Sequence, residues 1–285
     1  MATYREVLME AEERLRAHVC AQERASQEAM DLLCFAARVS PTVVLVRLCD
    51  VIDEDVVVRL EDFVERRLNH EPLAYITGST VFDGNDFVVS RDVLIPRDAT
   101  QELVVFVDML GRSVQEPRFI DVGTGSGCIA ISLAKRFPSS KVFAIDIAEN
   151  ALLLAKKNAA RFGVDNVFFV HGNLLLAAPP LTTETIIVAN LPYLPDSGVS
   201  GLIPDIKDYE PYGALAGGND GLVLYREMFV QIAEKGVMPM AVICEILSEQ
   251  YSLFIIFVQD IFPRAVCDAI QNTNGEIIGV CVRWH

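Results

Sequence analysis

The feature that most constrains this chain is a glycine-rich turn that directly follows an apolar, β-branched run. The run begins at Phe119, and the turn carries glycines at positions 123, 125 and 127. Alternating glycines let the backbone turn tightly and let a ligand approach it without meeting a Cβ. Residues 129–137 then repeat apolar positions with helical spacing until Pro138. This order of strand, turn and helix predicts a ligand-binding loop at the carboxyl edge of an open α/β sheet.

A carboxylate ends the next predicted strand. Residues 141–145 are apolar after their first position, and Asp146 follows them. An acid placed there can accept hydrogen bonds from ribose hydroxyls, as in dinucleotide-binding folds, although the glycine spacing here is G-x-G-x-G. A carboxylate that only caps the following helix is the alternative interpretation.

A second turn, Asn190-Leu191-Pro192-Tyr193, follows another apolar run, predicted as the fourth strand. It offers a side-chain carbonyl, a backbone carbonyl, a rigid proline and an aromatic ring. Two oxygens that accept hydrogens and a ring that covers the plane can together hold a planar NH2 group. For Tyr193 alone, a core aromatic on a turn is the alternative.

The two turns together resemble the HemK/PrmC family of S-adenosylmethionine (SAM)-dependent glutamine methyltransferases, in which the second turn reads Asn-Pro-Pro-Tyr. Residues 71–78, 93–97 and 209–222 also resemble that family, so the resemblance covers nearly the whole chain. Three segments depart from it. Leu191 replaces the first proline, residues 98–101 read Asp-Ala-Thr-Gln in place of Pro-Glu-Thr-Glu, and residues 244–247 read Cys-Glu-Ile-Leu in place of Leu-Glu-Ile-Gly.

The resemblance implies an α/β fold: a Rossmann-like SAM-dependent methyltransferase domain with a seven-stranded mixed sheet, preceded by a small N-terminal helical domain. We expect the helical domain at residues 1–70, a β-hairpin linker at 71–95 and the methyltransferase domain at 96–285. Within the first of these, Thr3 to Glu6 has the pattern of a capping box that begins a helix. The helical domain is either a scaffold or a docking module for a macromolecular substrate.

The resemblance also implies the site. The residues expected to bind the cofactor SAM are Gly123, Thr124, Gly125, Ser126, Gly127, Asp146, Asn173 and Asn190. The residues expected at the methyl-transfer step are Asn190, Leu191, Pro192 and Tyr193. Asn173 occupies a position near the adenine that commonly carries an acid in SAM enzymes of this type.

Composition limits the other classes of function. The 285 residues carry a formal charge of −15, which argues against a nucleic acid as direct substrate because phosphate binding needs clustered Lys and Arg. The seven cysteines form no C-x-x-C pair and the four histidines show no ligand spacing, so we predict no metal site. The longest apolar segment, residues 251–258, is too short for a membrane span, and the first residues do not resemble a signal peptide. We therefore expect a cytoplasmic protein.

By resemblance, the expected reaction is methyl transfer from SAM to the glutamine side-chain amide in the Gly-Gly-Gln motif of peptide chain release factors. Three alternatives stay open. A ribosomal-protein glutamine methyltransferase shares every motif named above, and an adenine-N6 DNA methyltransferase also presents an exocyclic NH2 to such a turn. The third is a non-catalytic SAM-binding protein that has drifted at the departing positions.

Overall fold

The computed structural model describes residues 2–16 and 22–284, and for residues 22 and 23 it describes the backbone alone. Residues 1, 17–21 and 285 fall within the predicted domain bounds but lie outside the described residues. Two compact units are formed, one by Met1–Gly78 with Pro204–Tyr209 and the other by Ser79–Ile203 with Glu210–His285.

The helices are divided between these two units, and two 3-10 turns accompany them. The α-helices are α1 (Tyr4–Arg16), α2 (Gln22–Ala37), α3 (Pro41–Val46), α4 (Glu54–Leu68), α5 (Leu73–Thr77), α6 (Asp98–Gly111), α7 (Cys128–Arg136), α8 (Glu149–Phe162), α9 (Asp196–Val199), α10 (Pro204–Lys207), α11 (Val223–Lys235) and α12 (Tyr251–Ile261). The 3-10 turns are Tyr212–Ala214 and Ser248–Gln250. Across the described ranges, no helix combines the length and the apolarity that crossing a membrane requires.

The strands all belong to the second unit. They are β1 (Ser79–Phe82), β2 (Asn85–Val88), β3 (Arg118–Val122), β4 (Val142–Asp146), β5 (Val167–His171), β6 (Thr185–Ala189), β7 (Ala241–Glu245), β8 (Val266–Gln271) and β9 (Ile277–Arg283).

The helical unit packs α1 to α5 around an apolar core. At the start of α1, Thr3 N donates to Glu6 Oε2 at 2.8 Å and Glu6 N donates to Thr3 Oγ1 at 3.3 Å, which confirms the predicted capping box. Leu15, Leu32 and Leu33 are fully buried where α1 and α2 meet. Burial of one apolar stripe on each helix therefore stabilises this unit.

One buried cation joins three helices of this unit. The Arg67 side chain on α4 is 4% exposed; its Nε donates to Glu28 Oε2 on α2 at 2.8 Å, and its Nη2 lies 2.7 Å from Asp205 Oδ2 on α10. The Tyr209 hydroxyl donates to the Asn69 carbonyl at 2.6 Å. These contacts explain why residues 204–209 belong to the helical unit although the chain reaches them long after it leaves α5.

The second unit is built on a seven-stranded sheet in the order β5-β4-β3-β6-β7-β9-β8. β3 to β7 are parallel, and β9 runs antiparallel to β7 and β8, so the predicted seven-stranded mixed sheet is confirmed. Neighbouring residues of one strand belong to opposite apolar clusters, Phe119 to one and Ile120 to the other. Because side chains alternate along a strand, both faces of the sheet are covered, and the central strands are apolar at nearly every position.

The hairpin of β1 and β2 packs against α8 of the same unit. The fully buried Asn158 on α8 accepts from Val88 N at 2.9 Å through Oδ1, and its Nδ2 donates to the carbonyls of Val88 at 3.0 Å and Ser126 at 2.9 Å. One side-chain amide thus connects the hairpin to the glycine-rich turn.

Replacement of Arg67 by Met should lower the free energy of unfolding by about 3 kcal/mol, because Glu28 and Asp205 would lose the guanidinium that they share. Each carboxylate would keep a more exposed partner, Arg24 for Glu28 and His70 for Asp205. Arg16→Met removes the exposed i, i+4 pair with Glu12 and should cost less than about 1 kcal/mol. Urea denaturation of both variants, followed by circular dichroism, measures the difference. Equal losses would contradict a structural role for the buried pair.

Candidate active site

Pairing of β3 with β6 brings the two sequence-predicted turns together. Val122 lies opposite Ala189 in the parallel register, so Gly123 and Asn190 begin neighbouring turns at the carboxyl edge of the sheet. A Cβ added to Gly123 would lie 3.0 Å from Leu191 Cδ2 and 3.6 Å from the Asn190 carbonyl oxygen. This close approach and the φ of 75° at Gly123 together favour glycine at this position.

A cavity of about 290 Å³ opens at this edge. Its walls come from both turns, from residues 92–96 and 211–214, and from the residues that follow β4 and β5. All the predicted site residues line it except two, Gly127 and Tyr193. Gly127 begins α7 with φ of 82°, and Tyr193 lies beside the cavity with its hydroxyl turned to Glu245.

Asp146 connects the glycine-rich turn to the turn after β4. Its Oδ2 accepts from Gly125 N at 2.8 Å and its Oδ1 accepts from Ala148 N at 2.9 Å. Each carboxylate oxygen keeps a further lone pair, and the residue lines the cavity. Asp146 bonds the residue before α8, and that helix has no side-chain cap, so the carboxylate joins the two turns rather than caps the helix. This geometry is compatible with acceptance of ribose hydroxyls.

The part of the cavity wall formed by the glycine-rich turn and the residues after β4 and β5 suits a nucleoside. A Cβ on Gly125 would meet nothing within 4 Å, so the turn leaves open space above its backbone. Ile147 and Leu174 add apolar surface to the lining. Asn173 Nδ2 donates to Glu227 Oε1 on α11 at 2.9 Å, which leaves Asn173 Oδ1 as an acceptor.

Asp121 lies fully buried beneath the glycine-rich turn. Its Oδ2 accepts from Thr124 Oγ1 at 2.6 Å and from Ala130 N at 3.1 Å, whereas its Oδ1 has no partner among the described residues. Burial raises the pKa of this carboxyl to about 7, against the lowering effect of those two hydrogen bonds.

A chain of hydrogen bonds fixes the second turn. Asn190 Nδ2 donates to Thr100 Oγ1 at 2.9 Å, and Thr100 Oγ1 donates to Glu245 Oε2 at 2.7 Å. The other oxygen, Glu245 Oε1, accepts from the Tyr193 hydroxyl at 3.0 Å. Burial raises the pKa of Glu245, while Thr100, Tyr193 and the charge of Arg97 act in the opposite direction.

These hydrogen bonds leave two oxygens of the second turn able to accept a ligand's hydrogens. Among the residues that the structure describes, no donor reaches Asn190 Oδ1 or the Leu191 carbonyl oxygen. Both residues line the cavity. A carboxamide NH2 has two hydrogens to donate, so this pair of acceptors matches it in number.

The backbone of the second turn is held from behind. Leu191 N donates to the Tyr225 hydroxyl at 3.2 Å, and that hydroxyl donates to the Glu245 carbonyl. The Leu191 side chain is 4% exposed and packs in the core. Gly221, with φ of 77°, lies so close that an added Cβ would be 1.9 Å from the Tyr193 carbonyl oxygen. Any side chain at 221 would therefore displace the turn.

Thr100, Glu245 and Tyr225 contact the predicted turn residues and were missed by sequence reasoning. A weak signal existed for two of them. Segments 98–101 and 244–247 depart from the HemK/PrmC pattern at other positions, but Thr100 and Glu245 agree with it. No pattern in the sequence distinguishes Tyr225 from other apolar positions of α11.

No metal centre is found within the described ranges, since no group of three or more His, Cys, Asp or Glu side chains there could hold an ion. The cysteines that the structure describes are free thiols: Cys34, Cys49, Cys128, Cys244, Cys267 and Cys281.

Comparison with known proteins matches both parts of the chain. Residues 6–78 match the family model of the PrmC N-terminal domain, and residues 114–254 match that of a methyltransferase domain. The chain is 32% identical over 249 residues to the release factor glutamine methyltransferase of Bacillus cereus, covering 86% of this chain and 88% of that protein. It is 33% identical over 259 residues to the one of Bacillus subtilis, covering 89% and 90%.

Among solved structures, the hMettl16 catalytic domain in complex with MAT2A 3′UTR hairpin 6 superposes with a TM-score of 0.54. The alignment covers 81% of this chain and 82% of that one at 14% sequence identity. At that identity the likeness concerns the fold alone.

The stability of this protein should fall with pH because of Asp121. Its folded-state pKa of about 7 exceeds the ordinary value of 3.8, so its contribution is fully present below the ordinary value and is lost as pH rises through about 7. Between pH 5 and pH 8 the free energy of unfolding should fall in both proteins, but it should fall less in Asp121→Asn than in the wild type. The difference between the two losses should be on the order of 2 kcal/mol. Guanidinium titrations at several pH values measure this difference.

Thr124→Ser is the matched control, since it keeps both the titrating carboxyl and a hydroxyl donor. It should retain the pH dependence of the wild type. If Asp121→Asn retains it as well, Asp121 does not carry it.

Proposed function

The chain belongs to the release factor glutamine methyltransferase family, and from this membership we propose that it transfers a methyl group from SAM to the side-chain amide nitrogen of the glutamine in the Gly-Gly-Gln motif of peptide chain release factors. Its protein substrates are then the release factors, and its place of action is the cytoplasm. On the same proposal, residues 1–70 dock the substrate, residues 71–95 link, and residues 96–285 carry the chemistry.

One observation carries the proposal. Asn190 and Leu191 line the cavity beside the glycine-rich turn, and Asn190 Oδ1 and the Leu191 carbonyl accept no hydrogen bond from the described part of the chain. Two such acceptors fit the two hydrogens of a glutamine carboxamide. The same wall presents Pro192, which holds the turn rigid.

These acceptors also suit the chemistry. An amide nitrogen is a poor nucleophile because its lone pair is delocalised into the carbonyl, so the site must orient it. Oxygens fixed around the NH2 group favour the positive charge that develops on nitrogen as it is methylated. Orientation of two bound reactants supplies much of the remaining rate, and the methyl-transfer step needs no general base. Tyr193 then supports the turn, with its ring beside the amide.

The residues of the first turn fit a SAM-type cofactor, which supplies an electrophilic methyl group on its sulfonium when bound. Gly125 leaves open space above the backbone, Gly123 to Ser126 lie in the cavity wall, and Asp146 keeps lone pairs for ribose hydroxyls. Asn173 offers a neutral acceptor where an acid is common, and Glu227 holds its amide in place. We assign the cofactor to these residues and to Asn190.

Asn190→Ala should lower the rate of methyl transfer by about 100-fold or more, because an acceptor aimed at developing charge is lost. The measurement is transfer of labelled methyl from SAM to a purified release factor, with mass mapping of the modified residue. Asn274→Ala, on an exposed turn, is the matched control and should leave the rate unchanged.

The same assay separates the alternatives when a ribosomal protein and duplex DNA are offered in parallel. Label on either of these and none on the release factor would overturn the proposed substrate. Binding of S-adenosylhomocysteine without transfer to any substrate would identify a non-catalytic protein instead.

Asp146→Asn should weaken S-adenosylhomocysteine binding by roughly 10- to 100-fold, because hydrogen bonds to a charged acceptor contribute about 1.5–3 kcal/mol. Isothermal titration calorimetry measures the dissociation constant directly. The exposed Asp165 provides the control Asp165→Asn, for which no change is expected. Unchanged affinity in Asp146→Asn would leave this carboxylate only the role of joining the two turns.

A further inference from the structure

The hydrogen-bond chain behind the second turn has a direction. Each carboxylate oxygen of Glu245 accepts from one hydroxyl group, Oε2 from Thr100 and Oε1 from Tyr193. Thr100 has a single hydroxyl hydrogen, which it gives to Glu245 at 2.7 Å. The oxygen of Thr100 can then only accept from Asn190, and the amide group of Asn190 must turn its Nδ2 toward Thr100.

The direction in which Asn190 Oδ1 faces is thereby determined. With Nδ2 committed to Thr100, Oδ1 faces the opposite way, and Thr100 is the hydrogen-bond partner of this side chain within the described residues. A rotated Asn190 would present an NH2 group in place of the oxygen. The two orientations have almost the same shape, so packing alone does not choose between them.

We infer that Glu245 and Thr100 are positioning residues that make the site select glutamine over glutamate, an inference that rests on the proposed function. A glutamine carboxamide donates hydrogens to an Asn190 oxygen, whereas a glutamate carboxylate has none to donate and would place negative charge against it. A site whose buried polar groups are matched to one partner rejects an analogue that leaves them unpaired. The selection thus depends on a carboxylate that does not itself line the cavity.

Glu245→Gln tests the inference with little change in shape. A glutamine at 245 can donate to the Thr100 oxygen, which frees the Thr100 hydroxyl to donate to Asn190 Oδ1 and lets Asn190 rotate. The substrate pair is a release factor with its Gly-Gly-Gln motif and the same protein changed to Gly-Gly-Glu. The selectivity is the ratio between the inhibition constant of the Glu form and the dissociation constant of the Gln form.

We expect Glu245→Gln to lower this ratio by about 10-fold or more and to lower kcat for the Gln form by roughly 10- to 100-fold. Affinity for S-adenosylhomocysteine should fall less than kcat does, since the variant acts on Asn190 but leaves the glycine-rich turn and Asp146 unaltered. Replacing a residue that merely stabilises the fold would weaken binding of the Gln form and of the Glu form together and leave the ratio unchanged.

Thr100 supplies a second pair of variants in case Glu245→Gln folds poorly. Thr100→Val keeps the shape and removes the hydroxyl, so Asn190 loses its partner and the ratio should fall as in Glu245→Gln. Thr100→Ser keeps the hydroxyl and should restore the selectivity of the wild type to within about threefold.

The outcomes distinguish failure of the proposed function from failure of the positioning role. If the wild type methylates no glutamine of the release factor, the proposed function is overturned. If the wild type methylates it, and Glu245→Gln or Thr100→Val keeps the wild-type ratio while still binding S-adenosylhomocysteine, only the positioning role is overturned. A lowered ratio in Thr100→Val that Thr100→Ser restores supports it.

Discussion

The second turn depends on one buried carboxylate, that of Glu245 at the end of β7. Its residue is 2% exposed, and removing an ionised carboxyl from water costs several kcal/mol unless donors compensate. Thr100 and Tyr193 supply the two donors, and the charge of Arg97 favours the ionised form. Because an unpaired carboxylate is so costly there, these hydroxyl groups are held firmly, and the turn between them is organised before any ligand arrives.

The sequence allowed the framework of the site to be predicted because its signals are local. Glycines at 123, 125 and 127 and the polar turn at 190–193 each end a β-branched run, and parallel strands bring such ends to one edge. The acid at 146 follows a third strand in the same way. The structure places these features around one cavity without any long-range information beyond the order of the strands.

What the sequence could not supply are the contacts across long separations. Thr100 lies 90 residues from Asn190 and 145 residues from Glu245, and each of the three sits in a different kind of segment. The grouping of residues 204–209 with the helical unit has the same origin, since it depends on Arg67 meeting Asp205. An aspartate on a short helix and an arginine on a longer one look like ordinary surface residues until the fold brings them together.

The replacement of proline by leucine at 191 shows how such contacts alter the meaning of a motif. The proposed methyl-transfer site needs the carbonyl of this residue, which any amino acid provides, and Pro192 still favours an extended conformation before it. A proline at 191 has no N–H, whereas Leu191 donates its N–H to Tyr225, which in turn donates to the Glu245 carbonyl. The leucine side chain also fills a place in the core. The rigidity that the proline ring would give is therefore replaced by a hydrogen bond and by burial, and both anchor the turn to the residue whose carboxylate orients Asn190.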